Sequence, residues 1–193
     1  MINPFGGAGA APRNWLLARP ILEAASHIEL TIRETDRAHH AFEIVNAELA
    51  PGQYNSIVTV SGDGLIHEVV NGIMTREDRA AFLATVTIGV IPGGTGNALI
   101  KSLLAHTNEE CGILEAAYLV ARGNRGHMDM TELTLEYEQR RVYSFLSVAW
   151  AIVADCDINS EVIRWAGSAR FTMWGVWRCM SMIRYRGSLE YTG

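Results

Sequence analysis

The chain has 193 residues, 49% of them apolar, and a formal charge of −5. That length holds one domain and part of another, with a core that needs no disulfide or metal, and the acidic balance excludes a general nucleic-acid binder. Cys111, Cys156 and Cys179 are odd in number and far apart, which suggests neither a zinc site nor a disulfide framework and fits a reducing, intracellular compartment best.

In chain order, Asn3-Pro4-Phe5-Gly6-Gly7-Ala8-Gly9-Ala10 is a glycine-rich loop, and Pro12 suits the first turn of the helix after it. Trp15, Leu16, Ile21 and Leu22 give that helix an apolar face, and Pro20 is expected to bend it. Ile28–Ile32 alternates with period two and predicts a strand. Thr35-Asp36 offers an N-cap for a helix over about 37–49, ended by Pro51-Gly52. The β-branched run Ile57–Val60 predicts a buried strand, followed by Ser61-Gly62-Asp63-Gly64 and a helix over about 65–74.

A short surface helix is expected over 76–83 and a strand over 86–91. The strand leads into Pro92-Gly93-Gly94-Thr95-Gly96-Asn97 and a helix through Leu103; a further helix covers 109–122. Alternating strands and helices imply a parallel sheet covered on both faces. After Gly123-Asn124-Arg125-Gly126 the pattern changes to two expected antiparallel strands, 128–135 and 142–148, so a domain boundary is placed near 125. The fold class is therefore α/β, with domains over 1–125 and 126–193. Met1-Ile2 is short for the strand that should precede a glycine-rich loop, and the last residues read as a strand just beginning. The sequence reads as a piece of a longer protein. No signal peptide, transmembrane run, internal repeat or low-complexity segment is visible.

Three glycine-rich loops after three strands of one α/β unit suit a polyphosphate. Backbone N–H groups and helix N-termini bind anions without help from positive side chains. The standard nucleotide motifs are absent: Lys101 lies too far from Gly96 for GxxxxGK[ST], and Pro12 interrupts GxGxxG after Gly7-Ala8-Gly9. Asp63, between two glycines at a strand's carboxyl end, stands where open α/β sheets bind ligands and is the expected chemical centre. Fifteen Arg against the single Lys101 suit bidentate phosphate contacts, and equally reflect genome composition.

Asn3-Pro4-x-Gly6-Gly7, Ser61-Gly62-Asp63-Gly64 with Glu68-Val69-Val70-Asn71-Gly72, and Pro92-Gly93-Gly94-Thr95-Gly96-Asn97 resemble the diacylglycerol and sphingosine kinase superfamily. Ser147-Val148-Ala149-Trp150, Ala154-Asp155-Cys156-Asp157, and Arg170-Phe171-Thr172 followed by Tyr185-Arg186-Gly187 draw the resemblance toward sphingosine (long-chain base) kinases. The resemblance implies an ATP- and Mg2+-dependent lipid kinase. It implies a Rossmann-like nucleotide domain followed by an antiparallel β-sandwich that holds the lipid, the latter truncated here, with ATP and the lipid hydroxyl meeting in the cleft between the two.

Position by position, the resemblance makes Asp63 the general base for the lipid hydroxyl, a role consistent with the modest demands of phosphoryl transfer on side-chain chemistry. Asn3, Gly6, Gly7, Ser61, Gly62, Gly64, Gly94, Thr95, Gly96 and Asn97 would contact the nucleotide phosphates, and Thr35 the adenosine. Arg164 and Arg170 would reach the phosphates from the second domain. Glu68, about one helical turn beyond Asp63, would share its face, bonding in the cleft or assisting magnesium indirectly. Asp157 would recognise the cationic head of a long-chain base, sphingosine, dihydrosphingosine or phytosphingosine, since a buried carboxylate needs such a partner. Ser147 would add a hydrogen bond, or be satisfied locally within a strand. No protein residues are assigned to hold a metal.

Phe5 and Ala38 stand where the family carries basic residues, Thr95 replaces a frequent Ser, and the family's second Gly-Asp-Gly-Glu segment would fall beyond the chain's end. His39-His40 point to different faces of a helix and make a poor metal pair; His67 reads as a helix-face histidine with a local partner. Phe171, Trp174, Trp177, Met180 and Ile183 form an apolar stripe, either core or the lining of an acyl-chain pocket or lid. A diacylglycerol or ceramide kinase, or a non-catalytic nucleotide- or lipid-binding fragment, are the alternatives. A soluble chain with a membrane-resident substrate is expected in the cytoplasm, peripherally bound to intracellular or plasma membranes.

Overall fold

The computed structural model describes residues 1–6, 9–94, 96–107, 110–181, 183–188 and 190, without the side chains of His106, Thr107 and Arg164. The chain forms two compact units, the first ending at Leu146 and the second starting at Ser147.

In the first unit, helix α1 (Ala10–Ala24) runs through Pro20. Its buried stripe is Ala11, Ala18 and Leu22, whereas Leu16 is 67% exposed. Of the apolar face read from the sequence, Leu22 is buried and Trp15 and Ile21 pack against the same cluster, and alanines extend that face. Ala11 and Ala18 pack in one cluster with Ala117 and Ala121 of α6 (Ile113–Arg122), and small residues let two backbones approach closely.

Four extended segments lie side by side. Strands β1 (Ser56–Ser61) and β2 (Thr87–Pro92) pair in parallel, Ser56 opposite Thr87 through Ser61 opposite Pro92. Ile2 bridges Val60 on one side and Glu34 on the other, again in parallel. The order across the sheet is therefore 28–34, 1–3, β1, β2. The strand expected at 28–32 is extended but makes no ladder. It meets its neighbour at one point: Arg33 O accepts from Ile2 N at 2.9 Å, and Thr35 N donates to Ile2 O at 2.9 Å.

The expected helix over 37–49 is shorter and starts later, as α2 (His40–Glu43) and a π-helical turn, Ile44–Glu48. The other helices of this unit are α3 (Asp63–Met74), α4 (Arg79–Thr85) and α5 (Ala98–Thr107). Side chains of β1 and β2 alternate between faces with the period of two that a strand imposes. Val58, Val60 and Ile91 pack under α1 and α6, while Ile57 and Val90 face α3. Helix α3 is buried on two flanks: Leu65, Val69 and Ile73 in one cluster, Ile66 and Val70 in another. At roughly 2 kcal/mol per buried side chain, those five residues contribute ~10 kcal/mol as an upper figure. That is several times what one hydrogen bond can contribute, so core packing fixes where α3 begins.

Of an antiparallel sandwich, the described residues hold one two-stranded ribbon, β3 (Thr131–Leu135) with β4 (Arg140–Ser144). The strand expected through Val148 ends at Ser144, beyond which no described strand accepts its bonds. The second unit is helical in its regular elements: α7 (Ile152–Ile158), a 3₁₀ stretch over Asn159–Ala166 kinked at Ile163, and α8 (Ala169–Ser181). Within it, Asp155 accepts hydrogen bonds from Arg178 and from the Tyr185 hydroxyl.

Candidate active site

In the sheet order 28–34, 1–3, β1, β2, the chain turns one way from the first strand to the second and the other way to the third. In open α/β sheets ligands bind at that reversal, outside the carboxyl ends of the strands. The loops leaving that edge here are the three glycine-rich loops found in the sequence.

The described parts of the three loops touch. Gly93 N donates to Ser61 O at 3.0 Å. A Cβ on Gly94 would lie 2.3 Å from Gly62 Cα and 2.6 Å from Gly62 N; a Cβ on Gly6 would lie 3.0 Å from Ser61 Oγ. At Gly94 backbone therefore meets backbone, and any larger residue would push those two loops apart. Asn97, at φ 55°, holds the loop after β2 closed: its Oδ1 accepts from Gly94 N at 2.9 Å and Gly93 N at 3.2 Å, and its Nδ2 donates to Gly94 O at 2.6 Å. Asn3 Oδ1 accepts from Phe5 N at 3.0 Å and shapes the first loop as an Asx-turn. Asn14 on α1 donates to Pro92 O at 2.9 Å, a tie the sequence did not announce.

Asp63 is the first residue of α3. Its Oδ2 accepts from Ala98 N at 2.7 Å and its Oδ1 from Leu99 N at 3.0 Å, so its carboxylate caps the N-terminus of α5. These two bonds fix the plane of the carboxylate and leave each oxygen a further lone pair. Gly64 differs from the other loop glycines. A Cβ there would meet nothing within 4 Å, and its φ is not in the positive range. In a helix Gly costs about 0.5–1 kcal/mol relative to Ala. Nothing the described residues pack against Gly64 gives a reason for glycine at this position.

Glu68 is placed differently from the expectation that it shares Asp63's face. Five residues at about 100° each put it about 140° around α3 from Asp63. Its Oε1 accepts from His39 N and its Oε2 from Ala41 N, both at 3.1 Å, which ties α3 to the start of α2. Thr35 is buried, and its Oγ1 donates to Ile2 O at 3.4 Å. Asn71, which sequence reasoning left without a role, is also buried: its Nδ2 donates to Tyr143 O at 2.9 Å and its Oδ1 accepts from Tyr143 N at 2.8 Å. The available signal was Asn-Gly, two poor helix formers, in the middle of a strongly apolar helix. Gly72 beside it lies where a Cβ would be 3.0 Å from Phe42 O. Partial burial, then Arg140 and His39, lower the His67 pKa below its ordinary value, while Glu68 pulls the other way.

In the second unit Arg170 is buried and pairs with Glu161, with Asp157 Oδ1 at 4.0 Å from its Nη2. Asp157 itself is exposed, as is Ser147. Gly7, Thr95 and the side chain of Arg164 lie outside the described residues. Among the described residues no group of three or more His, Cys, Asp and Glu is arranged to hold a metal ion.

Fold and loops together define a parallel α/β protein whose glycine-rich loops meet beside one oriented carboxylate. Residues 1–133 match the diacylglycerol kinase catalytic domain, and the chain belongs to that family. It is 39% identical over 191 residues to sphingosine kinase 1 of Arabidopsis thaliana, covering 98% of this chain and 38% of that protein. It is 39% identical over 199 residues to human sphingosine kinase 2, covering 99% of this chain and 30% of that protein. The chain thus spans well under half of either relative. Among solved structures, a diacylglycerol kinase from Bacillus anthracis str. Sterne superposes with a TM-score of 0.53 at 27% identity, covering 67% of this chain and 40% of that one.

Proposed function

We propose that this chain is the ATP-binding part of a lipid kinase that transfers the γ-phosphate of ATP to the primary hydroxyl of a sphingoid long-chain base. The carrying observation is the meeting of the glycine-rich loops around an oriented Asp63, with Gly64 left open beside it. The polyphosphate lies against loop amides and the N-termini of α1, α3 and α5, whose dipoles favour negative charge. Asn3, Gly6, Gly7, Ser61, Gly62, Gly94, Thr95, Gly96 and Asn97 form or support that cradle, and Thr35 lies on the adenosine side.

Asp63 accepts the proton of the attacking hydroxyl through a lone pair left free by Ala98 and Leu99. The alkoxide oxygen so formed bonds to the γ-phosphorus as the bridging oxygen leaves with ADP. Mg2+ enters this reading as the companion of the nucleotide's phosphates.

The choice of a long-chain base rests on identity to proteins named sphingosine kinases, with Asp157 and Ser147 reading the head group and Arg164 and Arg170 serving the phosphates. In this reading 1–125 is the nucleotide part, and the segment from 126, β3–β4 included, opens an antiparallel lipid-binding domain. A membrane-resident acceptor makes the protein cytoplasmic and peripherally membrane-bound. Met173, Val176, Trp177 and Met180, all exposed on α8, support that, and no helix among the described residues is long and apolar enough to cross a membrane. The superposition on a diacylglycerol kinase favours a second reading, phosphorylation of diacylglycerol.

Transfer from radiolabelled ATP to sphingosine, dihydrosphingosine, phytosphingosine, ceramide and diacylglycerol separates the readings, run on this chain and on the complete natural protein. Label on the free long-chain bases, lost in Asp63→Asn with ATP binding kept, is the expected result. Label on diacylglycerol alone selects the second reading, and wild-type turnover in Asp63→Asn removes the base assignment.

A further inference from the structure

Glu68 has no chemical role in the proposed transfer, yet both its oxygens are engaged. Each accepts from a backbone N–H across the interface between α3 and the segment leading into α2, at 3.1 Å. One donor, His39, sits at φ 62°, a conformation that costs a non-glycine residue energy and persists only where its surroundings enforce it. Glu68 is such an enforcing contact. The other end of the segment is tied to the sheet, where Thr35 N donates to Ile2 O at 2.9 Å. Between the two ties the segment closes on itself: Asp36 N donates to His40 Nδ1 at 3.1 Å, and Arg37 pairs with Asp36 and Glu43.

This segment leaves the carboxyl end of the second extended segment in the sheet. In doubly wound nucleotide folds that end faces the ribose, while the loop after the first strand faces the phosphates. Residues 35–41 therefore occupy the sugar and base side of the site, and Asp63 the phosphate side. Helix α3 carries Asp63 at its start and Glu68 in its second turn, so one rigid element sets the distance between the two ends of a bound nucleotide.

We propose that Glu68 is a positioning residue for the nucleoside end of ATP: its carboxylate holds residues 35–41 in place and takes no part in holding magnesium. The inference rests on the kinase reading above and deepens it. It predicts a selective effect. Glu68→Gln keeps the size of the side chain but replaces one acceptor oxygen with an N–H2 that faces a backbone N–H. The loss of one charge-assisted bond should loosen the segment and weaken ATP binding by about tenfold.

The test measures binding of a fluorescent ATP analogue to the complete natural protein, displaced in turn by ATP and by inorganic tripolyphosphate, with and without magnesium. For Glu68→Gln, ATP affinity should fall about tenfold by the same factor with and without magnesium, while tripolyphosphate affinity and the half-activating magnesium concentration stay unchanged. Unchanged ATP affinity overturns the proposal, as does equal weakening of ATP and tripolyphosphate, or a loss confined to the magnesium-loaded assay. Amide hydrogen exchange on the wild-type protein gives a second measurement that needs no variant to fold. ATP should slow exchange across 35–41 and tripolyphosphate should not; no slowing by ATP overturns the proposal. A wild-type protein that binds no ATP overturns the kinase reading and this inference together. A wild-type protein that binds ATP as well as Glu68→Gln does overturns this inference alone.

Discussion

Asn71→Ala tests whether α3 is tied to the ribbon by side chain rather than by packing alone. Asn71 makes the bonding pattern of a strand residue with a side chain: its amide meets both the N–H and the C=O of Tyr143, at 2.8 and 2.9 Å, seventy-two residues away. Tyr143 is 5% exposed and packs with Val70, Leu99 and Leu104, so water has little access to replace those bonds. Truncation leaves two buried backbone groups unpaired at about 1–3 kcal/mol each, and a combined cost of about 3 kcal/mol is expected. For a protein of this size that corresponds to a fall in Tm of about 6–12 °C. Thermal and denaturant unfolding of the variant and wild type measure it. Asn71→Asp sharpens the result, because a carboxylate accepts from Tyr143 N but cannot donate to Tyr143 O. It should be destabilised at pH 7 and recover in part as acid protonates it. An Asn71→Ala protein that melts within about 1 °C of wild type would refute the reasoning.

Gly94→Ala and Gly64→Ala should behave oppositely. The first forces a Cβ to 2.3 Å from Gly62 Cα and should cost about 1–3 kcal/mol in a melt, together with nucleotide affinity. The second meets nothing within 4 Å and should melt at or above wild type while losing ATP binding; retained ATP binding would sink the reading of Gly64 as a ligand-facing position. His67 adds a pH dependence. Its folded-state pKa lies below the ordinary 6.5, chiefly through partial burial, so its neutral form contributes stability that is full above that value. That stability is lost as pH falls below 6.5 toward the folded value, and His67→Gln should flatten the difference in Tm between pH 7.5 and 5.5. Identical slopes for variant and wild type would contradict this.

Much of the first unit could be read from the chain. The β-branched runs at 57–60 and 86–91 and the glycine-rich loops after them fall at the carboxyl ends of β1 and β2. What could not be read is what depends on partners distant in sequence. The alternating segment 28–32 has the composition of a strand, but among the described residues its stretch of chain bridges the sheet only beyond it, at Glu34 opposite Ile2. The alanine face of α1 is invisible to a search for large apolar residues, because its value lies in how closely α6 can approach. The 142–148 run stops at Ser144, and among the described residues β4 pairs with β3 alone.

The Asp63–Gly72 motif shows why a sequence signature and a catalytic site differ in extent. Along α3, Asp63, Glu68 and Asn71 leave the helix about 140° and about 80° apart from the first, so each meets a different element. Asp63 caps α5, Glu68 holds the segment before α2, and Asn71 pairs with β4. All three bonds run to backbone atoms, which any substitution elsewhere preserves, so the motif residues carry the specificity of these ties by themselves. Activity lost at Glu68 or Asn71 would therefore not locate the chemistry. Asp63→Asn gives up one of the two bonds that cap α5, so a catalytic role for Asp63 requires a loss of transfer far larger than the accompanying fall in the melt and in ATP affinity, whereas Asn71 should betray itself in the melt and Glu68 in discrimination between ATP and tripolyphosphate.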